Sequence, residues 1–206
     1  MKNALLRGIP VAVFALLGAA GNAWAQWCVD TPIRPGRPGV QASTGFAESA
    51  TTVGLHYRAA ADRLQMNAGY WAGLPDGGTV SHIVGLGVSY DLPLAEGRFC
   101  PRAGFSLSNE LGLDDVLDRT TTSITFGFTA GTVAYEGDSV RLSPFVHPSY
   151  VFASTVSRID NGWHRRWDVG AGALLQMSDR SFASGTLHFD RDGYDGLTLA
   201  FGWLLR

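Results

Sequence analysis

Lysine is nearly missing from this chain: Lys2 is the only one in 206 residues. Charge of either sign is scarce, with Asp, Glu, Lys and Arg together at 17%, against roughly 25% in ordinary soluble domains. The net charge is −2 and no basic tract occurs, which argues against a nucleic-acid partner held through phosphate contacts. Cys28 and Cys100 are the only cysteines, too few for a zinc site, and no cofactor is expected. Beyond residue 25 there is no long apolar run and no 3.6-residue period, so neither a spanning helix nor an amphipathic one is expected there. What the chain does have is 46% hydrophobic residues and 26 glycines, the latter nearly twice the usual share of about 7%. The glycines lack a period of three, which excludes collagen, and 11% aromatics with so little charge excludes disorder.

Part of the apolar excess sits at the start. Lys2 and Arg7 precede a stretch, residues 9–20, that is almost wholly apolar, and Ala23-Trp24-Ala25 has the small-x-small form of a signal-peptide cleavage site. Residues 1–25 are therefore expected to be a secretory leader. Export makes a disulfide between Cys28 and Cys100 the expected state of the two thiols. Residues 26–39 hold Pro32, Pro35 and Pro38 among glycines. They are expected to form an irregular lead-in, because proline supplies no ladder donor.

From residue 40 to 206 the dominant period is two. In residues 51–59, Val53, Leu55 and Tyr57 alternate with Gly54, His56 and Arg58. In residues 63–72, Leu64, Met66 and Tyr70 alternate with Arg63, Gln65, Asn67 and Gly69. Similar alternation marks residues 79–92, 99–107, 121–134, 140–152, 163–177, 181–189 and 196–205, and with residues 40–47 this makes ten strands. One face is large and apolar. The other is rich in Gly, Ser and Thr and poor in charge, unlike the charged outer face of a soluble sheet. Small residues suit the crowded inside of a narrow barrel, with the large ones turned to lipid. Hydrocarbon tolerates no open sheet edge, so the sheet must close.

Connections at 48–50, 73–78, 110–119, 154–162 and 190–195, most of them long, alternate with uniformly short ones at 60–62, 93–96, 135–138 and 178–180. Unequal loops of this kind are a mark of outer-membrane barrels, with short turns and both termini on the periplasmic side. Tyr57, Tyr90, Phe99, Phe201 and Trp203 fall near the inferred periplasmic ends of lipid-facing rows, and Tyr70, Tyr150, Trp163 and Trp167 near the outer ends. Such aromatic girdles are expected at both interfaces. Pro144 and Pro148 fall in a lipid-facing row and predict a bulge or irregular stretch.

The assembled pattern, over residues 40–206, resembles the small Gram-negative outer-membrane β-barrel family, the OmpA-like group. Its sharpest piece is the last strand, Gly196-Leu-Thr-Leu-Ala-Phe-Gly-Trp-Leu-Leu-Arg206, with alternating apolar residues and a near-terminal aromatic. The family usually ends in Phe or Trp, whereas this chain ends in Leu205-Arg206. The resemblance implies a closed antiparallel up-and-down barrel in the cell outer membrane. The family is commonly eight-stranded, so eight is the alternative to ten. Implied partners are outer-membrane lipid, lipopolysaccharide and the barrel assembly machinery.

Residues able to carry chemistry are few. His147 and Ser149 share a strand face, similar to the His-x-Ser of outer-membrane lipid A deacylases, but Asp168 is the only inward carboxylate nearby. Asp114, Asp115 and Asp118 crowd one outer loop, and Asp190, Asp192 and Asp195 another, without the spacing of a calcium loop. The remaining inward charged set is His56, Arg58, Arg63, Arg102, His147, Arg166, Asp168 and His188. It is expected to be a polar network in the lumen, since buried charges must pair. The expected function is non-enzymatic: a structural or surface-interaction role with no catalytic residue and no metal. A barrel-borne enzyme acting on lipid A or peptides, and a soluble periplasmic barrel binding an apolar ligand, are the alternatives.

Overall fold

The computed structural model describes residues 28, 30, 36–48, 50–76, 80–92, 99–112, 119–157, 161–191 and 193–205. The expected leader, residues 1–25, and the aspartates at 114, 115, 118 and 192 lie outside this set. Eleven strands follow one another: β1 (Gly39–Ala47), β2 (Ala50–Ala61), β3 (Leu64–Pro75), β4 (Ser81–Asp91), β5 (Phe99–Gly112), β6 (Arg119–Gly131), β7 (Tyr135–Glu136), β8 (Arg141–Ser157), β9 (Asn161–Gln176), β10 (Ser181–Asp190) and β11 (Gly193–Leu204). Each strand pairs antiparallel with the next, except that β6 skips β7 and pairs with β8, and β11 returns to β1. The result is a closed ring of ten strands, with the two-residue β7 outside it on the flank of β8. No helix among the described residues is long and apolar enough to cross a membrane.

The alternation seen in the sequence becomes an inside and an outside. Thirty large apolar side chains among the described residues are more than a third exposed, including Leu55 at 62% and Leu86 at 60%, against six apolar or cysteine residues that are buried. That ratio is the reverse of a water-soluble domain, which buries such groups. On the outside, Tyr57, Tyr70, Tyr90, Phe99, Trp163, Trp167, Phe201 and Trp203 are all exposed. Tyr150 is half-buried because Phe152 and Trp167 pack against its ring, with centroids 4.7 and 4.8 Å away.

The interior is not lined only by small residues. Trp71 points inward against His56, ring centroids 4.7 Å apart. It lies over Gly54, Gly69 and Gly85: a Cβ at Gly54 or Gly69 would come within 2.6 Å of the indole. Glycine thus opens floor space for one large ring across three strands. Near the end where β1 starts and β11 finishes, Leu174, Phe182 and Leu204 form a small inward core with Ala60 and Phe145.

Two expectations need correction. The difference in loop length largely disappears, because residues expected in connections instead lengthen the strands. β5 has 14 residues, β8 has 17 and β9 has 16, while β1 has 9. The asymmetry is one of protruding hairpins at the far end, opposite β1's start. On the near side the link from β6 to β8 is not a short turn, since it carries β7. The prolines of β8 do mark an irregular stretch, as expected: pairing to β6 lapses between Gly127↔Ser149 and Ala130↔Val146, around Pro148, and resumes in the same register. A register shift also falls in β10, between His188 and Phe189, against β11.

Candidate functional site

Cys28 and Cys100 are joined by a disulfide with Cα atoms 5.7 Å apart. Cys100 is the second residue of β5, at the near end of the barrel. The bond therefore ties the segment before β1 to the near mouth, across a sequence separation of 72. Two residues on, Asp30 enters a buried cluster. Its carboxylate accepts from Arg102 Nη1 at 2.8 Å and Nη2 at 3.3 Å, and from the Thr129 hydroxyl at 3.1 Å. Arg102 Nε donates to Asp91 at 2.6 Å, and Gln65 Nε2 donates to the other Asp91 oxygen at 2.7 Å. Thr129 Oγ1 also meets His147 Nδ1 at 2.8 Å, and the charge of Asp30 acts on Arg58.

The composition of this cluster follows from burial. Arg102 offers a planar fork of donors, and two carboxylates fill it from two sides. Burial alone would raise the pKa of Asp30, which precedes the first strand, but the charge and hydrogen bonds of Arg102 outweigh it. The charge of His147 and the Thr129 hydroxyl act in the same direction, and the carboxyl is held below its ordinary value. Asp30 was not among the inward residues expected from alternation, because it lies in a proline-rich stretch with no period. The signal that pointed to it is Cys28, two positions away.

The other expected lumen residues are spread along the barrel. His56 Nε2 meets Ser43 Oγ at 2.7 Å under the edge of Trp71. His188 sits beside Asp168 at 3.6 Å and meets Thr198 Oγ1 at 3.2 Å. Arg63 lies in the turn between β2 and β3 and not in a strand, and Arg166 is exposed on the far part of β9. His147 and Ser149 share a face, but the Ser149 hydroxyl donates to the Asp168 carbonyl at 3.4 Å and His147 Nδ1 is engaged by Thr129. No described hydrogen bond joins base to hydroxyl, the contact by which such a pair activates a nucleophile.

A cavity of about 170 Å³ lies beside the cluster, lined in part by Asn67, Ser89, Arg102, Ser106, Thr125 and His147. Its size is below the roughly 300 Å³ of ordinary ligand pockets. A second hollow of about 400 Å³ opens at the near end between the turns around β7 and β10, mixing Arg141 with Glu136, Asp138 and Asp179. Among the described residues no group of three His, Cys, Asp or Glu is arranged to hold a metal ion.

No protein-family model and no curated protein matches the sequence. Solved structures similar to it include the N-terminal β-barrel domain of Pseudomonas aeruginosa OprF, at 11% identity and a TM-score of 0.39, covering 83% of this chain and 98% of that one. A bacterial polysaccharide outer membrane secretin is similar at 16% identity and a TM-score of 0.44, over 80% of this chain and 57% of that one.

Proposed function

We propose that this chain is an integral protein of the bacterial outer membrane, with a structural or surface-contact role and no catalysis of its own. The observation that carries this reading is a closed ten-stranded ring whose outer surface is apolar. Closure removes the sheet edges that hydrocarbon would not tolerate. Large exposed apolar areas are unusual on soluble monomers and suit lipid. A disulfide fits an oxidising compartment outside the cytosol, in line with the expected leader. On this reading the near end faces the periplasm and the protruding hairpins face outward. Partners would be membrane lipid, lipopolysaccharide and the assembly machinery that inserts such barrels.

The filled interior favours a scaffold over a wide pore. Apolar residues crowd one side of the near mouth and the Asp30–Arg102–Asp91 cluster the other. A carrier of apolar ligands would need an apolar hollow, whereas this cavity is bordered by Arg102, His147 and hydroxyl groups. Fractionation tests the proposal. The mature protein is expected in the membrane fraction, released only by detergent and floating with lipid vesicles. Recovery in the soluble periplasm without detergent would overturn it.

A further inference from the structure

The far half of β9 differs from the rest of the barrel surface. Its pairing to β10 stops at Val169, so among the described pairings residues 161–168 are bonded to β8 alone. Trp163, Arg165 and Trp167 share the outward face of this stretch, with the tryptophans 76% and 60% exposed. Same-face residues on a strand are about 7 Å apart. Arg165 therefore stands one step beyond Trp167 and one short of Trp163. Its guanidinium carbon is 5.9 Å from the centroid of Phe152, the residue opposite it on β8.

Among the described residues no ion pair gives this cation an acid. The outward rows next to it hold Tyr150, Phe152, Ser154 and Val156 on β8, and Thr120, Thr122, Ile124 and Phe126 on β6, with no carboxylate. Among the described ion pairs none includes Arg165, whereas Arg102 and Arg119 each have acidic partners. An arginine held at an aromatic girdle, with its fork unclaimed, matches a phosphate in chemistry and in depth. Aromatic residues mark the water–lipid interface, where headgroup phosphates lie. The guanidinium fork recognises phosphate in bidentate fashion.

We infer that the outward face of the β8–β9 hairpin binds the phosphate of a lipid in the outer leaflet, with Arg165 as the phosphate ligand and Trp163 and Trp167 flanking the headgroup. This inference rests on the membrane reading, and the experiment separates the two. Full-length mature protein is reconstituted into phosphatidylcholine vesicles with diphosphorylated lipid A, or with lipid A stripped of phosphate. Flotation is scored first, then lipid retained through detergent extraction is measured by native mass spectrometry. The wild-type protein should float and retain phosphorylated lipid A in preference to the stripped form. Arg165→Ala should float equally and retain roughly fivefold less, while Arg165→Lys should fall between. Arg180→Ala, at the opposite end, should match wild type. Equal retention by wild type and Arg165→Ala, or displacement of the lipid by an equal concentration of inorganic phosphate, would overturn the lipid site and leave the barrel in the membrane. Failure to float would overturn both.

Discussion

Trp71 and Asp30 show how single residues set this interior. The indole of Trp71 occupies room left by Gly54, Gly69 and Gly85, and added carbon at Gly69 has nowhere to go because the ring is rigid. Gly69→Val should destabilise the barrel by about 1–3 kcal/mol, with part of the loss recovered in Gly69→Val/Trp71→Ala. Urea titration of the folded band on unheated gels checks both. The acid sensitivity of Asp30 has a defined sign. Its pKa is lower folded than unfolded, so its contribution is fully present above the ordinary carboxylate value and is lost as pH falls through the folded value. Stability should therefore drop on acidification below about pH 4, and Asp30→Asn should show a shallower drop. Alternation places Trp71 in the row of Gln65, Asn67 and Gly69, but no local pattern says a large ring fits there. That depends on glycines of three strands coming into register.

At the scale of elements, the ten ring strands were legible because a period of two sorts every side chain to one of two faces. Their far ends were not. Residues 110–112, 119 and 154–157, expected in connections, continue β5, β6 and β8 instead. Their Glu, Arg, Ser and Thr side chains are as common in loops as on a hairpin, and cross-strand contacts such as the Glu110–Arg119 ion pair at 2.9 Å decide the matter. The β7 strand was missed because two residues carry no periodicity. The disulfide was legible in the cysteine count, but the carboxylate cluster it helps to position was not. Removing the crosslink with Cys28→Ser should cost about 2–4 kcal/mol of stability while the ring, whose strands do not include Cys28, still forms. Chemical unfolding of the oxidised and Cys28→Ser proteins, side by side, measures this.

Across the whole molecule, the opening oddities of composition have one physical origin. A chain whose apolar surface faces lipid keeps few charges on its strands, spreads its hydrophobic residues over every second position, and puts glycine and hydroxyl groups where the lumen is narrow. The same logic predicts how substitutions on the outer face behave. Leu86→Arg, at a position 60% exposed, should cost about 2–4 kcal/mol in vesicles near the bilayer midplane. On a water-facing surface the same change would fall within about 0.5 kcal/mol. Refolding equilibria of the two proteins in phosphatidylcholine vesicles would distinguish these values.

The most direct test of the central claim, that large side chains face lipid and the lumen is sealed from it, is fluorescence quenching by brominated phospholipids in single-tryptophan variants. A variant retaining only Trp203, on the outer surface, should be strongly quenched when reconstituted with brominated acyl chains. A variant retaining only Trp71, inside the ring, should keep its emission. Equal quenching of both, or quenching of neither, would contradict the account.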